Sequence, residues 1–363
     1  MSNDYYRIDS HKLHFHPARV AAWAAGKDDW ETAKAIYPLY VEVSPCGSCN
    51  HACHFCGVDY ILEENRHTRK FPQLDADIMA DRFMEMGRLG IRSVMFAGEG
   101  EPLLHKRINE LVLSAKIAGI DTAFTTNAVL LGDTLDLSTM EHISWIKASV
   151  NAGTEDTYAA VHRTKKSDFN RVLNNLAKAA AYRNTKGYAC TIGAQMVVLE
   201  ENAHEAGRLA RVCRDIGLDY LVLKPYSQHK FSINRIDAKY GDCPIVPEEF
   251  NTDTFKVVWR EETAKTTEIS YDKCQATPFM WAYLMASGDL YSCSAYLLDD
   301  RFNLGNLNAH TFREVWEGEK RRANWEYVRT TLDIHECRVN CRLDKANRYL
   351  TELANGVPHV NFI

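Results

Sequence analysis

The sequence predicts an α/β protein: a partial (β/α)6 barrel with a small C-terminal α+β domain. Three observations lead there. Short apolar runs alternate with helical segments from Leu39 to Leu223, which implies βαβ units and a parallel sheet. The rhythm stops after Lys224, and residues 232–249 carry Asn234, Gly241, Pro244 and Pro247, the turn chemistry of a connecting loop. Beyond it, apolar runs at 279–286 and 290–292 flank Ser287-Gly288-Asp289, a hairpin signal.

Taken in order, residues 1–38 form an expected packing arm around a helix at 18–25. His11, His14 and His16 lie there with Trp23 and Trp30, but the histidine spacing matches no ligand motif, so packing across the main domain is the better account. The barrel is expected over 39–235. Its strands fall at 39–43, 93–96, 121–125, 145–150, 190–198 and 220–223, and its helices at 76–86, 107–118, 135–143, 168–183 and 203–216. Six units in about 190 residues are too few for a closed eight-fold TIM-type barrel but suit a partial one, whose functional loops lie at the C-terminal strand ends. The remainder, 236–363, is the small domain, with helices at 311–328 and 343–353.

Composition bounds the function. The 363-residue chain is 25% charged and 46% hydrophobic, an ordinary globular balance. Its net charge of -5 argues against a nucleic-acid partner. No apolar run approaches a membrane span and residues 1–7 are polar, so a cytoplasmic protein without a membrane partner is expected. The 11 cysteines are clustered: four lie between Cys46 and Cys56, and Cys274, Cys293, Cys337 and Cys341 lie in the last quarter. In a reducing compartment such clusters point to metal ligation rather than disulfides. Cys190, Cys213 and Cys243 stand alone, as buried structural thiols usually do.

The first cluster reads Cys49-Asn50-His51-Ala52-Cys53-His54-Phe55-Cys56, a C-x3-C-x2-C run just after the first strand. Three thiolates can hold three corners of a four-iron cluster and leave the fourth iron open to a substrate or cofactor. On spacing alone, a closed zinc site with Cys46 as fourth ligand and a ferredoxin-type cluster also stay open. The run, with an aromatic residue before its last cysteine, resembles the signature of the radical S-adenosylmethionine (radical SAM) superfamily. Motifs at later strand ends extend the resemblance. Ala97-Gly98-Glu99-Gly100-Glu101-Pro102 is similar to the family's G-G-E-P, and Thr125-Thr126-Asn127 to its T-N-G, with Ala128 replacing the glycine. Ser149-Val150-Asn151-Ala152-Gly153-Thr154-Glu155 is similar to its ribose-contacting segment.

The resemblance implies Cys49, Cys53 and Cys56 as ligands of a SAM-binding 4Fe-4S cluster, Cys46 as a bystander, and Phe55 near the adenine. It implies that Gly98, Gly100, Glu101 and Pro102 receive the methionine amino group, with Glu101 its carboxylate acceptor. Asn127, Ser149 and Asn151 would serve the same cofactor, Arg163 would approach the methionine carboxylate, and Gln195 and Val197 would flank the adenine. The implied chemistry is one-electron cleavage of SAM to a 5′-deoxyadenosyl radical that abstracts hydrogen from substrate, with a donor such as flavodoxin or ferredoxin.

Cys274 and Cys293 bracket Gly288 as C-x13-G-x4-C, and Cys337 and Cys341 follow as C-x3-C. This resembles the SPASM or shorter twitch extension of radical SAM enzymes and implies one auxiliary 4Fe-4S cluster; a zinc site stays open, because C-x3-C departs from the usual C-x2-C. After the sixth strand, Lys224, Tyr226, Gln228 and His229 would face the reaction chamber. With Cys243, a candidate hydrogen-atom donor, they are the candidate catalytic residues. The arrangement resembles enzymes acting on carbohydrate-containing small molecules. The expected substrate is therefore a sugar, nucleoside sugar or aminoglycoside, and the outcome dehydrogenation, epimerisation, dehydration or decarboxylation. A peptide- or protein-modifying maturase is the alternative. A non-enzymatic iron–sulfur or zinc protein is the alternative from another class.

Overall fold

The computed structural model describes residues 4–236, 242–265, 268–338 and 341–362; Gly241, one of the loop signals, lies outside the described residues. The N-terminal region carries α1 (Pro17–Gly26) and α2 (Trp30–Ala33). The barrel follows as β1 (Tyr40–Val43), α3 (Asp59–Thr68), α4 (Ala76–Arg88), β2 (Ser93–Phe96), α5 (Ile108–Ile117), β3 (Asp121–Thr126) and β4 (Ile143–Ser149). It continues through α6 (Glu155–His162), α7 (Ser167–Lys186), β5 (Thr191–Val198), α8 (Ala206–Asp215), β6 (Tyr220–Pro225), β7 (Lys256–Trp259) and α9 (Glu261–Lys265). The C-terminal region comprises β8 (Trp281–Leu284), β9 (Asp289–Tyr291), β10 (Asn303–Asn306), α10 (Phe312–Trp316), α11 (Glu319–Thr330) and α12 (Asp344–Asn355).

These strands form one sheet in the order β10-β9-β8-β1-β2-β3-β4-β5-β6-β7. Strands β1 to β7 pair in parallel in chain order, one more than the six expected, because Lys256–Trp259 adds to the edge of β6. The hairpin β8–β9 forms at the expected turn, but β8 also pairs in parallel with β1, so the small region extends the barrel sheet.

Alternation along the strands sorts the two faces. Val41, Phe96, Phe124, Ile146, Ala194 and Leu223 point outward and build the main core against helices α4, α5, α7 and α8. The inner face is apolar low in the barrel, where Met95, Ala97 and Ala123 pack with Tyr40 and Trp145. Tyr6 and Ile8 close the N-terminal end of β6 and β7 against Tyr220, Val222 and Val258. Most of the N-terminal arm packs elsewhere than expected. Trp23, Trp30 and Ala33 share a core with Phe279, Trp325 and Leu350, so this part covers the C-terminal region rather than the barrel.

Two buried polar groups fasten the regions together. Glu99, at the end of β2, accepts hydrogen bonds from the Tyr283 hydroxyl (3.0 Å) and the Ala286 amide (2.9 Å) beside β8. Arg321 in α11 is fully buried and donates to the carbonyls of Ala33, Lys34, Ile36, Pro278 and Trp316.

Boundaries move where local chemistry overrides periodicity. The helix expected at 135–143 is a short 3-10 turn, Leu137–His142, before β4 starts at Ile143. The helix expected at 311–328 breaks at Gly318, where a Cβ would lie 2.6 Å from the Glu314 carbonyl oxygen. Helix α3 has no counterpart in the sequence pattern, since only Ile61 and Leu62 of its ten residues are buried and the apolar period is weak. Among the described residues no helix is long and apolar enough to cross a membrane.

Candidate active site

The loop between β1 and α3 holds Cys49, Cys53 and Cys56, all half-buried. Backbone bonds shape it: Ala52 and His54 amides donate to the carbonyls of His162 (3.1 Å) and Val161 (3.2 Å), and the Ser232 hydroxyl donates to the Cys56 carbonyl (3.0 Å). Burial pushes the Cys49 thiol up to about 12 and the Cys56 thiol up to about 11; Cys53 is raised further by burial and then by Cys56 and Cys49. The three sulfurs therefore share one electrostatic neighbourhood. Thiols raised this way ionise only when a metal cation offsets the charge. The donor set fits a cluster held by three thiolates. The buried Cys46 instead lies 3.0 Å from the Ser48 hydroxyl.

The strand-end glycines serve this loop directly. Gly98 has φ +117 and a Cβ there would fall 2.2 Å from Ser44 Cβ; a Cβ at Gly100 would fall 2.0 Å from the Cys46 carbonyl oxygen. Both are needed because the β2 turn presses against the cysteine loop. Gly100→Ala is expected to cost roughly 1–3 kcal/mol of stability, read as a lowered urea midpoint. Glu101 is buried; its Oε1 accepts from the Leu103 amide (3.0 Å) and the Thr126 hydroxyl, and its Oε2 from the Asn127 amide (2.8 Å). Burial nonetheless raises its carboxyl above the ordinary range. Pro102 is buried beside it, and Asn127 Nδ2 donates to Asn50 Oδ1 (2.6 Å) inside the cysteine run.

Ser149 and Gln195 are register partners, both half-buried on the inner face, so these two candidates come together. Val197, also half-buried, pairs with Lys224. Asn151 does not join them. It is fully buried, its Oδ1 accepts from the Val197 amide (2.7 Å), and its Nδ2 lies 3.4 Å from His162 Nε2. Arg163 is exposed at the end of α6, with Nη2 3.4 Å from Asn234 Oδ1. Phe55 meets His162 edge-on at 5.6 Å.

Two further residues, His162 and Glu205, shape the site without a sequence motif to mark them. Glu205 gathers the β4 exit loop, accepting from the Gly153 amide (2.6 Å) and the hydroxyls of Thr154 (2.7 Å) and Thr157 (2.8 Å). His162 donates from Nε2 to the Val150 carbonyl (3.0 Å), which leaves Nδ1 3.0 Å from Cys53 Sγ. His51, Cys53 and His162 place ligand atoms within 4.8 Å of one another. Burial, then His51, pushes the His162 imidazole from 6.5 down to about 3. Between those values the unfolded chain binds a proton that the folded chain does not, so stability falls as pH drops through 6.5 towards 3. The apoprotein should lose about 2 kcal/mol by roughly pH 5 through this group, and His162→Asn should flatten that slope in denaturant titrations.

The second cysteine group also assembles. Burial raises Cys293, followed by the charges of Cys274, Cys341 and Cys337, and burial lifts Cys341 to about 12. Four mutually close thiols fit a fully thiolate-held cluster. The loop after β6 lies between the two groups: Asp59 accepts from the Ile233 and Asn234 amides (both 2.9 Å), and His229 Nε2 donates to the Ser294 carbonyl (3.2 Å). Gln228 braces this loop through Tyr226, Asn234 and Ile236. Lys224 faces the barrel interior, since Leu223 beside it is in the outer core. Cys243 packs with Ile245 on the helix-covered outer core, so the structure does not bring it to the chamber and gives no support for a hydrogen-atom donor there.

A parallel partial barrel with an open three-cysteine loop at its strand ends, plus a separate four-cysteine group, defines an iron–sulfur radical enzyme fold. The comparisons agree. The Radical SAM superfamily profile matches residues 43–213, and the SPASM profile, an iron-sulfur cluster-binding domain, matches residues 274–342. The chain belongs to the radical SAM superfamily and carries a C-terminal SPASM iron–sulfur domain. It is a radical SAM enzyme whose cofactors are SAM, the SAM-binding 4Fe-4S cluster and a SPASM auxiliary cluster. It is 28% identical over 196 residues to a GTP 3',8-cyclase of Chlorobaculum tepidum, covering 53% of this chain and 55% of that protein. It is 23% identical over 344 residues to the tungsten-containing aldehyde ferredoxin oxidoreductase cofactor-modifying protein of Pyrococcus furiosus, covering 85% of this chain and 88% of that one. Streptococcus suis SuiB bound to its precursor peptide SuiA superimposes with a TM-score of 0.61 at 18% identity, over 81% of this chain and 67% of SuiB.

Proposed function

We propose that this enzyme abstracts a hydrogen atom from a peptide or protein side chain. The observation that carries this reading is the fold likeness to SuiB in its peptide complex over 81% of this chain. Bound at Cys49, Cys53 and Cys56, the cluster and SAM supply one-electron chemistry that generates a hydrogen-abstracting radical. The chain's own residues bind and enclose. Glu101 would hold the methionine ammonium, while Ser149 and Gln195 on the inner face would hydrogen-bond cofactor hydroxyls. The apolar floor of Met95, Ala97, Ala123 and Trp145 keeps water out beneath them. An external electron donor such as flavodoxin or ferredoxin would supply the reducing equivalents.

A second reading, a small sugar- or nucleotide-containing metabolite, is favoured by the sequence likeness to GTP 3',8-cyclase. Deuterium-labelled peptides and labelled sugar nucleotides separate the two. Label appearing in 5′-deoxyadenosine from peptides alone supports the first reading; label from sugar nucleotides alone refutes it.

A further inference from the structure

Among the described residues, three basic side chains, Lys147, Lys224 and Arg338, have no carboxylate in a salt bridge with them. Lys147 on β4 alternates with the outward-facing Ile146 and Ala148, so it points inward, as Lys224 does on β6. Both are half-buried. Among the described residues neither ammonium has a carboxylate partner; Lys147 lies 5.7 Å over the Trp145 ring. Arg338, beside the auxiliary cysteines, donates to the Ser227 hydroxyl (3.0 Å), and its buried Nε has no partner. Asp9, Glu42 and Glu99 are committed elsewhere, to Arg260, to Arg342, and to Tyr283 and Ala286.

Burial first, then the charges of Arg260, Arg338 and Lys147, hold the Lys224 ammonium well below the usual lysine range. Burial, then Arg260, lowers Lys147 to about 8. Arg338 adjoins Cys337 in the chain, so the thiolates of a bound auxiliary cluster would balance part of its charge. They do not account for two lysines on barrel strands. Buried like charges persist where a counter-charge arrives with a ligand.

We propose that Lys224, supported by Lys147 and Arg338, binds an anionic oxygen group of the substrate, a carboxylate or a phosphate, inside the barrel. This rests on the enzymatic reading above and narrows its substrate class to anionic molecules or anionic side chains. Lys224 sits beside Val197 in register, two residues beyond the Ser149–Gln195 level along the strands, so an anion there sets substrate against the cofactor end of the chamber.

The test is calorimetric titration of the anaerobically reconstituted holoenzyme with inorganic phosphate and, separately, with succinate, each with and without SAM. Saturable binding of either anion is expected, weakened about tenfold or more in Lys224→Met and largely kept in Lys224→Arg. Stronger binding of phosphate assigns a phosphate-bearing substrate, and stronger binding of succinate a carboxylate. Lys147→Met, expected to weaken binding about threefold, keeps the test open if Lys224→Met does not fold. No saturable binding, or binding untouched by Lys224→Met and Lys147→Met, overturns the proposal. Displacement of the anion by SAM also overturns it, by assigning the cations to the cofactor's carboxylate. Formation of 5′-deoxyadenosine is measured on the same wild-type preparation: cleavage without anion binding overturns this inference alone, and anion binding without cleavage overturns the enzymatic reading alone.

Discussion

Arg321→Met is expected to lower the melting temperature by roughly 4–7 °C, a large effect for one side chain. Among the described residues the arginine carries no ion pair. Its guanidinium donates to five carbonyls drawn from the N-terminal arm, the Pro278 segment and the end of α10, and it lies 4.1 Å over the Trp316 ring. Methionine fills most of the volume but leaves buried acceptors unpaired, at about 1–3 kcal/mol each where no other donor replaces the lost one. The Ile36 carbonyl keeps the Trp316 indole N–H (3.0 Å), so the losses do not simply add. A net cost on the order of 3–5 kcal/mol follows. Arg321→Lys should recover part of it, because an ammonium reaches fewer carbonyls than the planar fork. A melting curve for Arg321→Met that overlays the wild type would show that the arm is held without the arginine's hydrogen bonds.

Changing Cys49, Cys53 and Cys56 together to alanine is expected to abolish 5′-deoxyadenosine formation and remove about half of the bound iron. The fold should survive. None of the three thiols belongs to the main hydrophobic core, and the loop is held by backbone bonds to His162, Val161 and Ser232. Cys274→Ala should show the complementary pattern, with auxiliary iron reduced and cleavage at least partly retained. Electron paramagnetic resonance of the reduced proteins distinguishes the two clusters. Equal loss of both signals in the triple variant would mean that the cysteine groups do not load independently.

Much of the molecule is legible in its residues, for reasons that differ by element. The strand at 93–96 and the helix starting at Ala76 can be read directly because short β-rich runs and the Asp75 cap are local signals. Strand β7 is hidden: Lys256–Trp259 is four residues long and follows a Pro-rich loop, and only its pairing with β6 makes it a strand. The cysteines are marked by spacing, which survives any error in helix boundaries. Glu99 and Glu205 are not, since their roles depend on partners about 185 and 50 residues away in the chain. The glycines of the β2 turn stand out in the sequence, but their neighbour is the cysteine loop itself. Lys147 has no motif to mark it; alternation inside β4 is the available signal, and its meaning requires knowing which face is the interior.

The most direct test is SAM cleavage by the anaerobically reconstituted wild-type protein with dithionite. Two four-iron clusters require about eight irons per chain, and 5′-deoxyadenosine should form only when Cys49, Cys53 and Cys56 are intact. Full iron loading with no 5′-deoxyadenosine would overturn the assignment of the three-cysteine loop as the SAM-cleaving centre.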